Sequence, residues 1–560
     1  MALKHYDCSN SPVVSRILGP VVPAGNPNWT ATGKQVGGKR QVRSIRLRVH
    51  ALLILLLGLA ACAGEQPWLR LDGRSEIRIG FATGPLHFDP HLDSEEATNI
   101  LCHHLFDPLV FLDSNLKVVP WVATSWQNPD PLTWVFNIRS DIRFHDGTLL
   151  TAADVEYSIN RIRELPESPK KSLLLSVNTV HALSPNQVEV VTRVPYTPLL
   201  GKLSQIMIVP ANYYRTKPRD FLRSHPLGSG PYRLVQYRAA EEALLEASPN
   251  RWQKAELFRQ ARFQFVPDDS ARTHRLLDGQ LDLIRDPDPS LLPIVSQASQ
   301  LRVMRMPGAR LIYLGASWRE QLVDGSSNPF RSRVVRQAMS MAINREEGAA
   351  HVMDSMAQPA GQLASRLVFG FAPGVQVKPF QPALAGQLLR EAQFPSGRVF
   401  PCHYPVGKYF HVQQIAEDVA RQLSLVGIGL KPAPMEMSAF FKQTHAGRSD
   451  LFISGWIPIT GDTSDFFEHC FHSRGIDPNY GCYNDVSYDN PVMDQLIEES
   501  AGLNERGERL ALLQRIMGLA VEELVWIPLY LLDDNYAYRK ELQWRPRADR
   551  YVLAFQVRTE

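Results

Sequence analysis

Ser229 between Gly228 and Gly230, the adjacent His103 and His104, and the group His469, Cys470, His472 and Cys482 are the residues whose types and spacing bear most on chemistry. A serine flanked by glycines is a nucleophile when it sits on a sharp strand-to-helix turn, but Pro231 follows directly and no helical pattern begins there. It therefore reads as a structural turn. Eleven residues, among them Gly475, Pro478 and Gly481, separate Cys470 from Cys482, which predicts a local disulfide closing a loop. Such closure stabilises a fold by about 2 to 3 kcal/mol. The competing reading is a metal site with His469 and His472, which lacks a second Cys or His at short spacing beside Cys482. His103 and His104 read as surface or satisfied core histidines. Zinc-helix, phosphate-loop and dinucleotide signatures are absent, so no metal, cofactor or catalytic residue is expected, and an exported hydrolase stands only as an alternative.

Cys62 points to another kind of chemistry. It ends Leu59-Ala60-Ala61-Cys62, after an apolar run that starts at Ala51 and a basic stretch from Lys39 to Arg48. The run has eleven residues, whereas a membrane span needs about twenty, so it reads as a cleavable export signal. The tetrapeptide resembles the lipobox of bacterial lipoproteins. That implies a lipid on Cys62, removal of residues 1–61 and anchoring at the cell envelope, with 62–75 as tether. The tract 1–38 is long for such a leader, and Val36 or Val42 are alternative starts.

The leader also explains the charge. It holds eight of the 60 basic residues and one of the 57 acidic, leaving 52 against 56 in the remainder. A mildly acidic chain gives no electrostatic reason for a nucleic-acid partner. The length beyond Cys62 exceeds one ordinary core and implies several lobes.

Apolar alternation predicts strands at Glu76 to Phe81, Trp134 to Arg139, Tyr232 to Tyr237, near Leu311 to Leu314, and at Leu451 to Trp456. Helical periodicity covers Ala97 to Leu109, Thr151 onward with Val155, Ile159 and Ile162 on one face, Arg331 to Arg345, Ala383 to Ala392 and Val412 to Leu425. Strands and helices are mixed throughout, so the fold class is α/β or α+β in at least two lobes.

Several segments then resemble, in chain order, the peptide- and nickel-type extracellular solute-binding proteins of family 5. They are Trp134-Val135-Phe136-Asn137-Ile138-Arg139, Phe144-His145-Asp146-Gly147, Thr151-Ala152-Ala153-Asp154, Gly228-Ser229-Gly230-Pro231-Tyr232, Arg333 to Glu346, and Asn479-Tyr480 with Cys482-Tyr483. The resemblance implies the α/β two-lobed periplasmic-binding-protein fold (class II type) with an extra domain on the first lobe. Its expected division is 76–108, 226–305 and 528–560 for lobe I, 109–225 for the extra domain and 306–527 for lobe II. It further implies a monomeric receptor that captures an oligopeptide or peptide-like solute and delivers it to an ABC permease with its ATPase. A metal-chelate, nickel or haem binder on the same fold is the alternative.

In dipeptide binders of the family an acid following a Gly-Trp pair anchors the ligand ammonium, and an upstream arginine anchors its carboxylate. Here Ile459 stands where that acid falls after Gly455-Trp456, and Asp462 or Asp465 would substitute only if the loop is rerouted. Lys408 replaces the arginine, without the bidentate fork. Trp456 is the first aromatic expected to meet ligand, with Tyr409 and Trp318 behind it.

Overall fold

In the computed structural model, residues 68–475, 477 and 479–559 are described. Cys62 and its leader lie outside them. The chain builds one eleven-stranded mixed sheet, a separate four-stranded sheet and two small ribbons, with helices on their faces. One wing of the large sheet orders Tyr232–Arg238, Glu242–Ala247, Gln260–Phe265, Glu76–Phe81 and Leu283–Arg285. The other orders Leu451–Trp456, Val399–Pro405 and Gly429–Met435. Between the wings run two long antiparallel strands, Leu301–Ala316 of 16 residues and Trp526–Arg539 of 14. They serve both lobes, and their pairing slips between Pro307 and Leu311. A slip of this kind bends a strand locally, which suits a connection between two bodies.

The expected short strand at Leu311 to Leu314 is thus the second half of a much longer one. Pro307-Gly308 reads in sequence as a break, yet the bulge absorbs it and pairing resumes. The expected helix from Arg331 to Arg345 is also divided. A turn at Pro329–Arg331 precedes the helix Arg333–Met341, and Asn344 restarts a short turn by accepting a hydrogen bond from the Glu347 amide. The helix Glu96–Leu105 stops four residues before Leu109, because Phe106 is extended and Val110–Leu112 pairs as a strand.

Three buried clusters are the largest among the described residues. Two sandwich the second wing, one around Ile312, Leu314, Ile453 and Leu529, the other around Leu311, Tyr313, Phe466, Phe467 and Trp526. Leu311 and Tyr313 face one side and Ile312 and Leu314 the other, as alternation along a fully buried strand requires. The third fills the four-stranded sheet region with Phe136, Val155, Ile159, Ile162 and Val190. There the helix Ala152–Glu164 starts at Thr151, whose amide and hydroxyl both donate to Asp154 Oδ2 at 2.9 and 3.0 Å. Its apolar face is the one that periodicity assigned.

Gly228 and Gly230 pack against the end of the helix Glu96–Leu105, where an added Cβ would fall 2.1 Å from Leu105 O and 2.5 Å from His104 O. Ser229 between them is buried and donates to Asp107 Oδ2 at 2.8 Å. The turn is structural. His104 is a core residue bonded at Nδ1 to Ile100 O and at Nε2 to the Ala554 amide, both 2.8 Å. No described helix is long and apolar enough to cross a membrane.

Candidate ligand-binding site

A cavity of about 310 Å³ lies where the helix Glu96–Leu105, the segment around Lys170 and Gln205, and the ends of the second wing converge. Its size falls at the low end of small-molecule sites. An open recess of about 650 Å³ elsewhere is walled only by the loops Arg319 to Val323 and Ala446 to Arg448. We favour the smaller one, since segments distant in the chain, from Ser94 to Asp485, converge on it and Tyr313, Tyr409, Phe441, Trp456 and Tyr483 are among its walls.

Trp456 ends the strand Leu451–Trp456 opposite Leu311, and its ring lies 6.0 Å from Tyr483. Its buried Nε1 has no hydrogen-bond partner among the described residues. Tyr409 donates to Gly455 O at 3.1 Å and packs so closely that a Cβ on Gly455 would sit 3.0 Å from its ring and 2.9 Å from Leu311 O. Glycine is required here. Gly455→Ala is expected to push Tyr409 from the wall, weaken ligand binding by roughly tenfold and lower stability by about 1 to 3 kcal/mol as the strands part to admit the methyl, measurable by titration and thermal melts. Lys408 sits at the cavity mouth with Nζ 5.1 Å above the Phe441 ring and no ion pair among the described residues.

The loop after Trp456 folds back on itself. Asp462 is clamped by Arg509 at 2.5 and 3.1 Å and accepts the Ser464 amide at 2.9 Å, which fixes a turn at Gly461 with φ of 74°. The chain then folds back so that Asp465 Oδ2 accepts the Ile459 amide at 3.1 Å. A buried carboxylate is thereby brought to the very residue that replaces the expected acid. Burial pushes the Asp465 carboxyl up to about 7, with Lys202 opposing that shift. Ile459 is held from the other side, its carbonyl accepting Gln205 Nε2 at 3.2 Å.

Residues 117–478 match the profile of the bacterial extracellular solute-binding proteins, family 5 (middle region). The chain belongs to that family. This family 5 protein is 23% identical over 516 residues to di/tripeptide-binding protein 2 of Pseudomonas aeruginosa, covering 86% of this chain and 92% of that protein. It is 24% identical over 486 residues to heme-binding protein A of Haemophilus influenzae, covering 80% and 85%. Among solved structures, the periplasmic binding protein DppA from Helicobacter pylori in complex with peptide STSA superposes with a TM-score of 0.74 at 19% identity, covering 87% of this chain and 98% of that one. NikZ from Campylobacter jejuni in complex with Ni(L-His) gives 0.71 at 19%, covering 87% and 100%. The two-lobed family fold is shared throughout.

Four of the six expected ligand residues of this family 5 protein line the cavity together: Trp456, Lys408, Tyr409 and Asp465. Asp462 does not, because both its oxygens are taken by Arg509 and the turn; it positions Asp465 instead. Trp318 does not either. The Arg336 guanidinium lies 3.5 Å over its ring and Tyr488 packs on its edge at 4.7 Å, inside the lobe core. No Cys470–Cys482 disulfide is present. Cys470 is buried among Phe466, Phe467, Phe471 and Trp526, while Cys482 Sγ lies 3.5 Å from His469 Nδ1.

His469 itself lines the cleft, and burial lowers its pKa to about 3, so it is neutral. His472 turns elsewhere, bonded to Glu498 at 3.1 Å and stacked on Tyr480. The described residues include no group of three His, Cys, Asp or Glu able to hold a metal. Sequence reading missed Arg310, Lys170 and His445, all of which wall the cavity. Arg310 reads as an ordinary polar strand position and Lys170 as a surface lysine beside Lys171; only the tertiary fold gathers them.

Proposed function

We propose that this protein captures a short peptide or peptide-like solute between its lobes and delivers it to the permease and ATPase of an ABC importer. The observation that carries this reading is the Asp465 carboxylate folded back onto the Ile459 amide, in a cleft whose other groups include Lys408 and the aromatic rings of Tyr409, Trp456 and Tyr483. In it a ligand ammonium is met by Asp465, the terminal carboxylate by Lys408, and the chain between them by Trp456 and Tyr409. Contacts to both lobes stabilise the closed arrangement, which is a shift of population toward a state the permease can read.

The lobe division 76–108, 226–305 and 528–560 against 306–527, with 109–225 as extra domain, is part of the same proposal, as is a monomer tethered by lipid on Cys62. A tether raises the local concentration of receptor at its permease. A haem or metal-chelate ligand is the second reading, favoured by His469, which lines the cleft with Cys482 Sγ 3.5 Å from its Nδ1. Ser229, buried against Asp107, is not placed to serve as a hydrolase nucleophile.

Native mass spectrometry of the purified protein, followed by tryptophan quenching with di- and tripeptides, haem and nickel-histidine, tests the proposal. Retained or saturable peptide without metal is the expected result. Saturation by haem or nickel-histidine alone would replace it with the second reading.

A further inference from the structure

Charges lining the cleft do not balance for a plain peptide. Three cationic side chains, Lys170, Arg310 and Lys408, wall it, and none makes a direct ion pair among the described residues. Lys170 is 3% exposed, yet Nζ is held only by neutral oxygens, Asn99 Oδ1 at 2.9 Å and Gln205 O at 3.2 Å. An ammonium has three donors, so one remains. Arg310 is half-buried with its guanidinium 5.9 Å from the Tyr409 ring, and its side chain forms no hydrogen bond to a described residue. Burial pulls its pKa below the ordinary arginine value, while Glu96 and Asp534 act on it through space.

Those acids are engaged by other arginines. Arg285 holds both oxygens of Glu96 at 2.9 Å, and Arg550 takes Asp534 at 2.7 Å and Asp286 at 2.6 Å. Within the cavity wall, Asp485 is bonded to His445 at 2.8 Å. Glu96 and Asn99 lie three apart in one helix and so share a face. Arg310, which feels Glu96, and Lys170, bonded to Asn99, therefore converge on the same wall. A zwitterionic peptide supplies one ammonium and one carboxylate. After these are matched to Asp465 and Lys408, two cations are left over, and leaving buried cations uncompensated is unfavourable.

We propose that the ligand is a short acidic peptide, whose second carboxylate is held by the guanidinium fork of Arg310 together with Lys170. The proposal rests on the peptide reading of this cleft and names the class of peptide. A planar carboxylate suits that fork and gains from charge-assisted bonds.

Isothermal titration of the intact protein with Ala-Ala-Ala, Ala-Lys-Ala, and the three tripeptides made by placing one glutamate among alanines tests it. At least one glutamate isomer is expected to bind about tenfold tighter than Ala-Ala-Ala, with Ala-Lys-Ala weakest. Arg310→Met is expected to shrink that preference by about fivefold, and Arg310→Lys to retain part of it. Should Arg310→Met fail to fold, the panel on the unaltered protein decides alone. Equal affinity for neutral and acidic tripeptides overturns this inference and leaves the peptide reading standing. Absence of binding by any of the five overturns both.

Discussion

Asp465→Asn is expected to weaken binding of a free-amine peptide by roughly a hundredfold, about 3 kcal/mol, while making the protein without ligand more stable at pH 8 by about 2 kcal/mol. The two effects share one cause. Burial raises the folded-state pKa of Asp465 to about 7, well above the usual carboxylate range. A folded state that holds its proton more tightly than the unfolded chain loses stability as pH rises from about 4 to 7. Above pH 7 the charge stands buried with, among the described residues, only the Ile459 amide hydrogen-bonded to its side chain and Lys202 at longer range, while Glu468 and Asp462 repel it. Asparagine retains an acceptor and removes that charge. The gain is on the order of 2 kcal/mol, discounted from the full shift because relaxation and water entry soften burial penalties.

A ligand ammonium supplies the missing counter-charge, so affinity should climb as Asp465 ionises towards pH 7. It should fall again above about pH 8, where a peptide amino group loses its proton. The variant should lack the acid limb of this bell. Titrations from pH 5.5 to 9 with thermal melts at pH 8 check both parts; an unchanged acid limb would assign the titration to another group.

Glu468→Ala is expected to lower stability by about 3 to 5 kcal/mol and to slacken ligand binding at the same time. Glu468 is 1% exposed and its Oε2 accepts both Lys202 Nζ at 2.8 Å and the Tyr196 hydroxyl at 2.5 Å. Burial and this carboxylate together push the Tyr196 phenol well above its usual range. The bonds join the segment around Tyr196 and Lys202 to the helical turn Phe467–Phe471, which follows Asp465. Removing the acid strands Lys202 in a buried site. Replacing the pair together, Lys202→Met with Glu468→Leu, should recover most of the stability, since an apolar pair of similar volume suffers no desolvation penalty. A melt series on the single and double variants separates the outcomes: a single variant as stable as the double would remove the pair from the account.

How far the sequence alone reached depends on the range of the interactions involved. Glu76–Phe81 and Leu451–Trp456 were legible to the residue, because alternation and apolar runs are local signals. The strand Leu301–Ala316 was legible only in part, since its continuation through Pro307 and Gly308 rests on a bulge against Trp526–Arg539. At the site, Trp456 was readable as a candidate from its place beside Gly455, and Tyr409 from its place next to Lys408. Asp465 was readable only as one of two candidates, because the choice between it and Asp462 is made by Arg509, 47 residues away. Trp318 misled for the same reason: the cation over its ring comes from Arg336, on a helix whose approach leaves no mark in the local pattern. The unbridged Cys470 and Cys482 show the converse, a favourable spacing overridden where one thiol packs into an aromatic core.

The central claim is that Asp465 receives a ligand ammonium in a peptide-binding cleft. Calorimetric titration of the intact protein at pH 7.5 with one tightly bound short peptide and its N-acetylated counterpart tests it most directly. The account predicts that acetylation, which removes the positive charge and leaves the rest of the peptide in place, weakens binding by roughly a hundredfold. Equal affinity of the two would contradict it.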